Sequence, residues 1–182
     1  MADGGPSRKS AARGSGSRLD VAIVRHDEAW RGTRVSDALL ARAARAGFNA
    51  APPSSPGTYE VSILLTNDAE MRALNRTWRG KDASTNVLSF PAGDDLNKPG
   101  LLGDVALAYE TTRKEAEATG IALSDHAAHL VVHGVLHLLG FDHLEEDEAE
   151  RMETLERQAL ASLGIADPYA KRDGARPAEV SP

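Results

Sequence analysis

Alternating apolar and polar residues predict four β-strands along the chain. The alternation is clearest over residues 19–24 and 59–66, and the second segment ends in a continuous apolar run that is typical of a central strand. Residues 85–91 predict a third strand that stops at Pro91, because proline cannot donate to a strand ladder. Residues 102–109 predict a fourth strand, in which a glycine permits close approach of the backbone.

Helical spacing of apolar residues predicts three helices between and after these strands. Ser36 caps the first helix, which ends at Gly47, and Asn67 or Asp68 caps the second. A third, short helix is predicted over residues 111–119. The predicted inward side of the second helix carries Met71, Leu74, Asn75 and Trp78.

Two further helices are predicted in the last third of the chain. The first begins near Ser124, with Ser124 or Asp125 as its cap, and is apolar on nearly all sides, which indicates a central and buried helix. The second, over residues 147–163, is strongly acidic, and its charged side chains are most simply interpreted as a solvated face. The predicted inner stripe of this acidic helix consists of Met152, Leu155, Ala159 and Leu163.

The interleaved order of strands and helices predicts an α+β (mixed α/β) fold. We expect a single domain over residues 19–165, in which helices cover a small mixed sheet of about four strands and the helix that begins near Ser124 is central. Residues 1–18 are rich in glycine, serine and arginine and predict a disordered basic tail. Residues 166–182 predict a second disordered tail.

Composition excludes several classes of site and location. The chain has 182 residues and no cysteine, so disulfides and thiolate metal sites are excluded. No apolar run approaches the roughly 20 residues of a membrane span, and the N-terminus lacks the apolar segment of a secretory signal. We therefore expect a cytoplasmic protein without a membrane partner.

For nucleic-acid binding, the distribution of charge along the chain is more informative than the net charge. A formal net charge of −6 argues against a general nucleic-acid binder, and no DNA partner is expected. Seven acidic residues and one arginine lie within residues 144–156, whereas residues 71–81 contain four cations and no acid. A local cationic patch is therefore compatible with the overall negative charge.

The strongest chemical signal is a group of three histidines at the end of the central helix. His133 and His137 are four residues apart, so their imidazoles share one helix face, about 5–6 Å apart at Cβ. Gly140 permits a chain reversal that returns His143 toward the other two. Three nitrogen donors with a fourth position open are typical of catalytic zinc. We predict that these histidines bind one divalent ion, best Zn²⁺, although nickel or copper also suits imidazoles.

The residue after the first histidine limits the reactions that this metal site can catalyse. The spacing H-x-x-x-H-x-x-G-x-x-H is that of metzincin proteases, which place a glutamate base directly after the first histidine. Here that residue is Gly134, which cannot accept a proton, so peptide hydrolysis by that mechanism is disfavoured. Because a metal can polarise a phosphoryl oxygen without such a base, phosphodiester cleavage is the more natural use of the site.

The motif HGVLHLLGFDH over residues 133–143 resembles the metal motif of the YbeY family of single-strand endoribonucleases. Two further blocks are similar to that family and occur in the same order: LN, WRGKD and TNVLSFP within residues 74–91, and LGD at residues 102–104. Chance rarely supplies such an ordered set. Two positions depart from the family pattern, because Ser84 stands where proline is common and Phe141 where tyrosine is usual.

The resemblance implies a metal-dependent endoribonuclease that is specific for single strands. It implies ribosomal RNA as the substrate, in small-subunit rRNA 3′-end processing and ribosome quality control, with the ribosome or small-subunit assembly factors as partners. By position it places the metal ligands at His133, His137 and His143, and the functional arginine at Arg79. The chemistry agrees with Arg79, because a guanidinium stabilises charge that develops on phosphate oxygens.

Several assignments stay open at the level of the sequence. A zinc-dependent hydrolase or peptidase, and a non-catalytic ribosome-assembly factor with a structural metal, are the alternatives. The nucleophile is either water or the RNA 2′-hydroxyl. His126 and His129 share a stripe with the first metal-site histidine and are interpreted as supporting, substrate-side or core histidines. Asp142 is interpreted as a turn cap or a partner of an imidazole, and Trp78 as a core residue rather than a base-stacking one.

Overall fold

The computed structural model describes residues 16–93, 95, 98–143 and 145–170, so most of both predicted tails lies outside the described residues. In the described part, a four-stranded sheet has the order β1-β2-β4-β3. The strands are β1 (Arg18–Arg25), β2 (Thr58–Thr66), β3 (Val87–Pro91) and β4 (Gly100–Ala108). β1, β2 and β4 are parallel neighbours, and β3 is an antiparallel edge strand. The prediction of a small mixed sheet within an α+β fold is confirmed.

Five α-helices are arranged around this sheet in the described part of the chain. They are α1 (Asp37–Ala50), α2 (Asp68–Arg79), α3 (Tyr109–Thr119), α4 (Leu123–Leu138) and α5 (Glu146–Ser162). The predicted caps of α1 and α2 are correct, because Ser36 accepts from the Leu39 amide and Asn67 from the Glu70 amide. The predicted cap of α4 is wrong, since α4 begins at Leu123 without a side-chain cap. None of these helices is long and apolar enough to span a bilayer.

The two faces of the sheet bury unequal cores. Ile63 of β2 and Val105 of β4 face the main core, which they share with α1, α4 and α5. Leu64 and Ala106, the next residues along each strand, face a smaller cluster that α2 covers through Met71. Most of α4 is buried, as the all-round apolar pattern predicts, so its position is fixed by packing on every side.

The prediction that α1 ends at Gly47 is wrong, because α1 continues through it to Ala50. A Cβ at position 47 would lie 3.2 Å from the carbonyl oxygen of Val132 in α4. The missing side chain therefore allows α1 and α4 to pack closely. This packing outweighs the helix-propensity penalty of glycine, which is about 1 kcal/mol relative to alanine.

The interpretation of Trp78 as a core residue is also wrong. Met71 and Asn75 of the predicted inner stripe of α2 are buried, but Trp78 is 69% exposed. It lies in the last turn of α2, where the small cluster ends, and touches Phe90 of β3 edge-on with the ring centroids 6.2 Å apart. Helical spacing gave the correct direction for this side chain, but the helix extends beyond the core that it covers.

Two glycines with positive φ differ in what surrounds them. Gly103 has φ +142° and follows a register shift between β2 and β4, and a Cβ there would overlap the carbonyl oxygen of Phe90 on β3. Gly80 has φ +68° at the left-handed C-terminal cap of α2, and a Cβ there would meet no atom within 4 Å. Of these two glycines, Gly103 therefore combines backbone strain with overlap, and Gly80 does not.

We expect Gly103→Ala to lower the free energy of unfolding by about 3 kcal/mol or more, since it adds overpacking to an unfavourable φ. Gly80→Ala is the matched control and should cost only about 1–2 kcal/mol, the penalty for the left-handed conformation alone. Urea denaturation followed by circular dichroism measures both. If both variants lose the same free energy of unfolding, the close packing of β3 against β4 at Gly103 does not contribute to stability.

Candidate metal centre

The last turns of α4 bring two histidines onto one exposed strip of an otherwise buried helix. His133 and His137 are half-buried, while their neighbours Val132, Val135 and Leu136 are fully buried in the main core. Packing of these apolar neighbours fixes the rotation of α4 about its axis. The two imidazoles therefore lie side by side on this strip, with their ring centroids 4.5 Å apart.

A tight turn after α4 returns the third histidine to the other two. The Gly140 amide donates to the carbonyl of His137 at 3.0 Å, and Gly140 has φ +86°. Asp142 Oδ1 then accepts from the backbone amide of His143 at 2.8 Å, so Asp142 caps the turn. The ring of His143 lies 5.5 Å from that of His133 and 5.1 Å from that of His137, centroid to centroid.

The nitrogens of these imidazoles converge on one point. One ligand atom from each of His133, His137 and His143 lies within 4.8 Å of the others, and Nε2 of His133 and Nε2 of His137 are 3.0 Å apart. Zn–N bonds of about 2.0–2.1 Å place tetrahedral ligand nitrogens about 3.3 Å apart. The donor set and its spacing therefore fit one small divalent cation, held by three imidazoles.

Behind the cluster, the buried Glu156 of α5 fixes the orientation of His133. Glu156 is 1% exposed, and its Oε1 lies 2.6 Å from Nδ1 of His133. An ionised carboxylate can only accept, so Nδ1 of His133 carries the proton and Nε2 presents its lone pair to the cluster. The same carboxylate accepts from Nε2 of His129 at 3.0 Å and from the hydroxyl of Tyr169.

The pKa values of these groups follow from their surroundings. Burial alone would raise the pKa of Glu156, but the hydrogen bonds and charges of His129 and His133 lower it to about 2. Burial, together with the neighbouring His133 and His143, lowers the pKa of His137 to about 4. Burial and the Glu156 carboxylate raise the pKa of Tyr169. At neutral pH His137 is thus uncharged, which is the form that binds a metal.

Position 134 shows why no catalytic carboxylate follows the first histidine. A Cβ on Gly134 would lie 2.6 Å from Cγ1 of Val105 and 3.1 Å from Oγ of Ser89. This side of α4 rests directly on the sheet. A side chain at position 134 would therefore collide with β4 instead of reaching the histidines.

Arg79 is linked to the cluster through β3. Its Nη2 donates to the carbonyl of Ser89 at 3.2 Å, and Ser89 Oγ in turn donates to the carbonyl of Gly134 at 3.1 Å. Gly134 directly follows His133 in α4. The guanidinium thus lies at the edge strand, on a hydrogen-bonded path to the metal helix, while the three histidines contact one another directly.

The remaining predicted candidates lie in distinct positions. Nε2 of His126 is 2.8 Å from Oε2 of Glu115, on the side of α4 that faces α3, whereas His129 shares Glu156 with His133. His126 is therefore a paired histidine away from the cluster, and His129 supports the carboxylate behind it. The described part of the predicted C-terminal tail includes Tyr169, which is half-buried against that carboxylate.

Glu156 and Tyr169 were missed by the sequence interpretation, which assigned the acidic residues of α5 to a solvated face. That interpretation is wrong for Glu156. A signal was present, because Glu156 is four residues after Met152 and three before Ala159. It therefore lies in the inner stripe of α5, where an acid must have a partner. No comparable periodicity marks Tyr169.

A cavity of about 250 Å³ opens beside the cluster. His133, His143, Met152 and Tyr169 line it together with Glu153 and Glu156. In the described part of the chain, the group of side chains placed to bind a metal comprises the three histidines and no carboxylate. The cavity therefore lies beside His133 and His143, on the side of the cluster that faces α5.

Comparison with known proteins agrees with this geometry. The sequence model of the family described as Endoribonuclease YbeY matches residues 32–164. A protein named Endoribonuclease YbeY from Maricaulis maris is 46% identical over 153 residues, which cover 84% of this chain and 93% of the relative. The protein of that name from Rhodospirillum rubrum is 55% identical over 148 residues, which cover 75% of this chain and 74% of the relative.

A solved structure has the same fold. The solution structure of a protein from Thermotoga maritima superposes with a TM-score of 0.52, at 20% sequence identity, and the match covers 82% of this chain and 98% of that one. At this identity the similarity concerns the fold alone. The assignment of the chain to a family rests on the family model and the two close relatives. The chain belongs to the endoribonuclease YbeY family.

Proposed function

We propose that the protein is a metal-dependent endoribonuclease that cleaves single-stranded RNA. Its substrate class is precursor ribosomal RNA, in small-subunit rRNA 3′-end processing and ribosome quality control in the cytoplasm. The ribosome or small-subunit assembly factors are its partners. His133, His137 and His143 hold one divalent ion, Zn²⁺, and Arg79 binds the phosphate that is attacked. We further propose that residues 19–165 form the catalytic domain and that the two terminal segments flank it.

The convergence of imidazole nitrogens supports this proposal most directly. With Nδ1 of His133 protonated toward Glu156, Nε2 of His133 points its lone pair at Nε2 of His137, 3.0 Å away. Where Nε2 of His137 also presents a lone pair, as in an imidazole that binds a metal, the two lone pairs repel each other unless a cation lies between them. In the other tautomer of His137, its Nε2–H donates to Nε2 of His133. Such an ion supplies a Lewis acid for a phosphoryl oxygen and lowers the pKa of water.

Arg79 complements this site from the edge strand. A guanidinium has five N–H donors, and the bond to the Ser89 carbonyl uses one of them. The exposed end of the side chain can therefore bind two oxygens of one phosphate and stabilise the charge that develops there. Its anchoring to Ser89 reduces the conformational freedom that is lost on binding.

The two alternatives have less support. A metzincin-type peptidase needs a carboxylate base beside the open metal position, and the packing of Gly134 against Val105 leaves no space for one after His133. A purely structural metal needs a fourth protein ligand, whereas the cluster in the described residues has three.

We expect His137→Ala to abolish RNA cleavage and to remove the metal. The variant loses the middle ligand of the three, so the remaining two imidazoles cannot hold the ion in a fixed geometry. Metal analysis of the purified protein and cleavage of a defined single-stranded RNA, with and without chelator, measure both effects. A chelated wild-type protein that cleaves RNA as fast as the untreated protein would contradict metal dependence.

Arg79→Ala should reduce kcat/KM for RNA cleavage by about 100- to 1,000-fold, the usual loss for one donor to developing charge. Metal content should not change, since Arg79 contacts Ser89 and not an imidazole ligand. Arg31→Ala is the matched control, because Arg31 is also exposed but lies in a surface turn, paired with Glu28. If both variants cleave RNA at the wild-type rate, Arg79 has no catalytic role.

Glu156→Gln should weaken metal binding by about 10- to 100-fold, because the amide no longer holds His133 by a charge-assisted bond. Glu115→Gln is the matched control: it alters the equivalent pair with His126 on the same helix, away from the cluster. Competition with a chromophoric chelator measures both affinities. Equal affinities for the two variants would show that Glu156 has only a structural role.

A further inference from the structure

A groove of about 770 Å³ lies on the face of the sheet opposite α4. Its floor includes Leu64 and Ala106, which face away from the main core, and its walls include Trp78 of α2 and Phe90 of β3. Arg79 lines its end beside the edge strand. The groove is thus separate from the histidine cluster but bounded by the residue proposed to bind phosphate.

Exposed apolar side chains concentrate in this groove. In the described part of the chain, four large hydrophobic residues are exposed, and three of them line it: Val24 at 41%, Leu101 at 57% and Trp78 at 69%. Single exposed apolar residues are ordinary, but a cluster in a concave surface is typical of a binding site. The exposed indole of Trp78 is the largest of these surfaces.

The groove and the metal helix α4 both contact β3. Ser89 and Phe90 are consecutive, so their side chains point to opposite faces of the sheet. Ser89 donates to the carbonyl of Gly134 in the metal helix, whereas Phe90 contacts Trp78 in the groove. β3 is the edge strand of the sheet, and Arg79, which also lines the groove, donates to its Ser89 carbonyl.

Size and charge favour a nucleic-acid strand as the occupant. The volume is within the range of small-ligand pockets, about 300–1,000 Å³, so the groove is large enough to hold a nucleobase. Arg76, Arg79 and Lys81 are exposed at the end of α2, where phosphates can be neutralised. Ser62 and Asp104 also line the groove and can accept hydrogen bonds from base edges.

We propose that this groove binds the single-stranded RNA next to the scissile phosphate, with one base stacked on Trp78. The backbone then passes Arg79 at the edge of β3 toward the three histidines. This inference rests on the proposed endoribonuclease function and adds a substrate subsite to it. The stacking explains why an aromatic residue is exposed at the end of α2.

The two tryptophans of the chain allow a direct test. Trp30 is 1% exposed and its indole N–H donates to the carbonyl of Thr66 at 2.8 Å, so only Trp78 is accessible to RNA. Mixing the full-length protein with a short single-stranded RNA in a stopped-flow fluorimeter should quench the Trp78 emission before turnover. The quench should be lost in Trp78→Phe, whose remaining tryptophan is buried.

Trp78→Ala should weaken RNA binding by about 5- to 150-fold, the range for loss of one base–aromatic stack, and the larger share of the kinetic loss should appear in KM. Trp78→Phe should retain most of the affinity, measured by fluorescence anisotropy of labelled RNA. Ile121→Ala is the matched control, because it removes an exposed apolar side chain outside the groove. Its affinity should equal that of the wild type.

The results separate this inference from the proposed function. If the protein cleaves the RNA but Trp78→Ala binds it as tightly as the wild type and Trp78 is not quenched, the subsite is wrong and the groove is better explained by a protein partner. If the wild-type protein neither binds nor cleaves single-stranded RNA, the proposed function fails and the subsite fails with it. Thermal unfolding of each variant should match the wild type, since both substituted side chains are exposed.

Discussion

The contact of Gly134 with the sheet is the constraint on which the rest of the site depends. Because position 134 has no side chain, α4 lies directly on Val105 and Ser89. This contact and the burial of Val135 and Leu136 set the rotation of the helix, so His133 and His137 face outward together. It also fixes the distance to β3, through which Arg79 is connected. A bulkier residue would shift the metal helix and the edge strand relative to each other.

The second requirement is a buried negative charge that the protein keeps ionised. Glu156 would be destabilised in the core without partners, but it accepts from His129, His133 and Tyr169. These three donors come from α4 and from the segment after α5. The carboxylate therefore ties the C-terminal part of the described chain to the histidine cluster. It also determines which nitrogen of His133 faces its neighbours, since a carboxylate cannot donate. The packing of α4 and the carboxylate of Glu156 therefore both fix the orientation of His133.

The sequence predicts the sheet, the central helix and the group of three histidines because each produces a local signal. Strand alternation, an all-round apolar helix and the spacing of His133, His137 and His143 depend on neighbouring residues alone. Contacts between distant elements give no such signal. The low helix propensity of Gly47 predicts the end of a helix, but in the structure this glycine allows α1 to pack against Val132. Glu156 is buried, although the acidic residues around it in the sequence predict a solvated face. Periodicity also does not show where a core ends. It therefore assigns Trp78 to the correct helix face but wrongly predicts that the side chain is buried.

The position of the edge strand reconciles a net charge of −6 with a phosphate-binding function. Glu153 and Glu156 of α5 lie beside the histidine cluster, where the charge of Glu156 is stabilised by hydrogen bonds from His129 and His133. Arg76, Arg79 and Lys81 are exposed at the end of α2, and Arg79 lines the groove that contains Trp78 and Phe90. An RNA strand that enters over the groove therefore meets positive charge and an aromatic surface first. The groove proposed to bind RNA and the helix that carries the histidines are on opposite faces of one sheet. Arg79, anchored to the carbonyl of Ser89, lies beside the edge strand that contacts both.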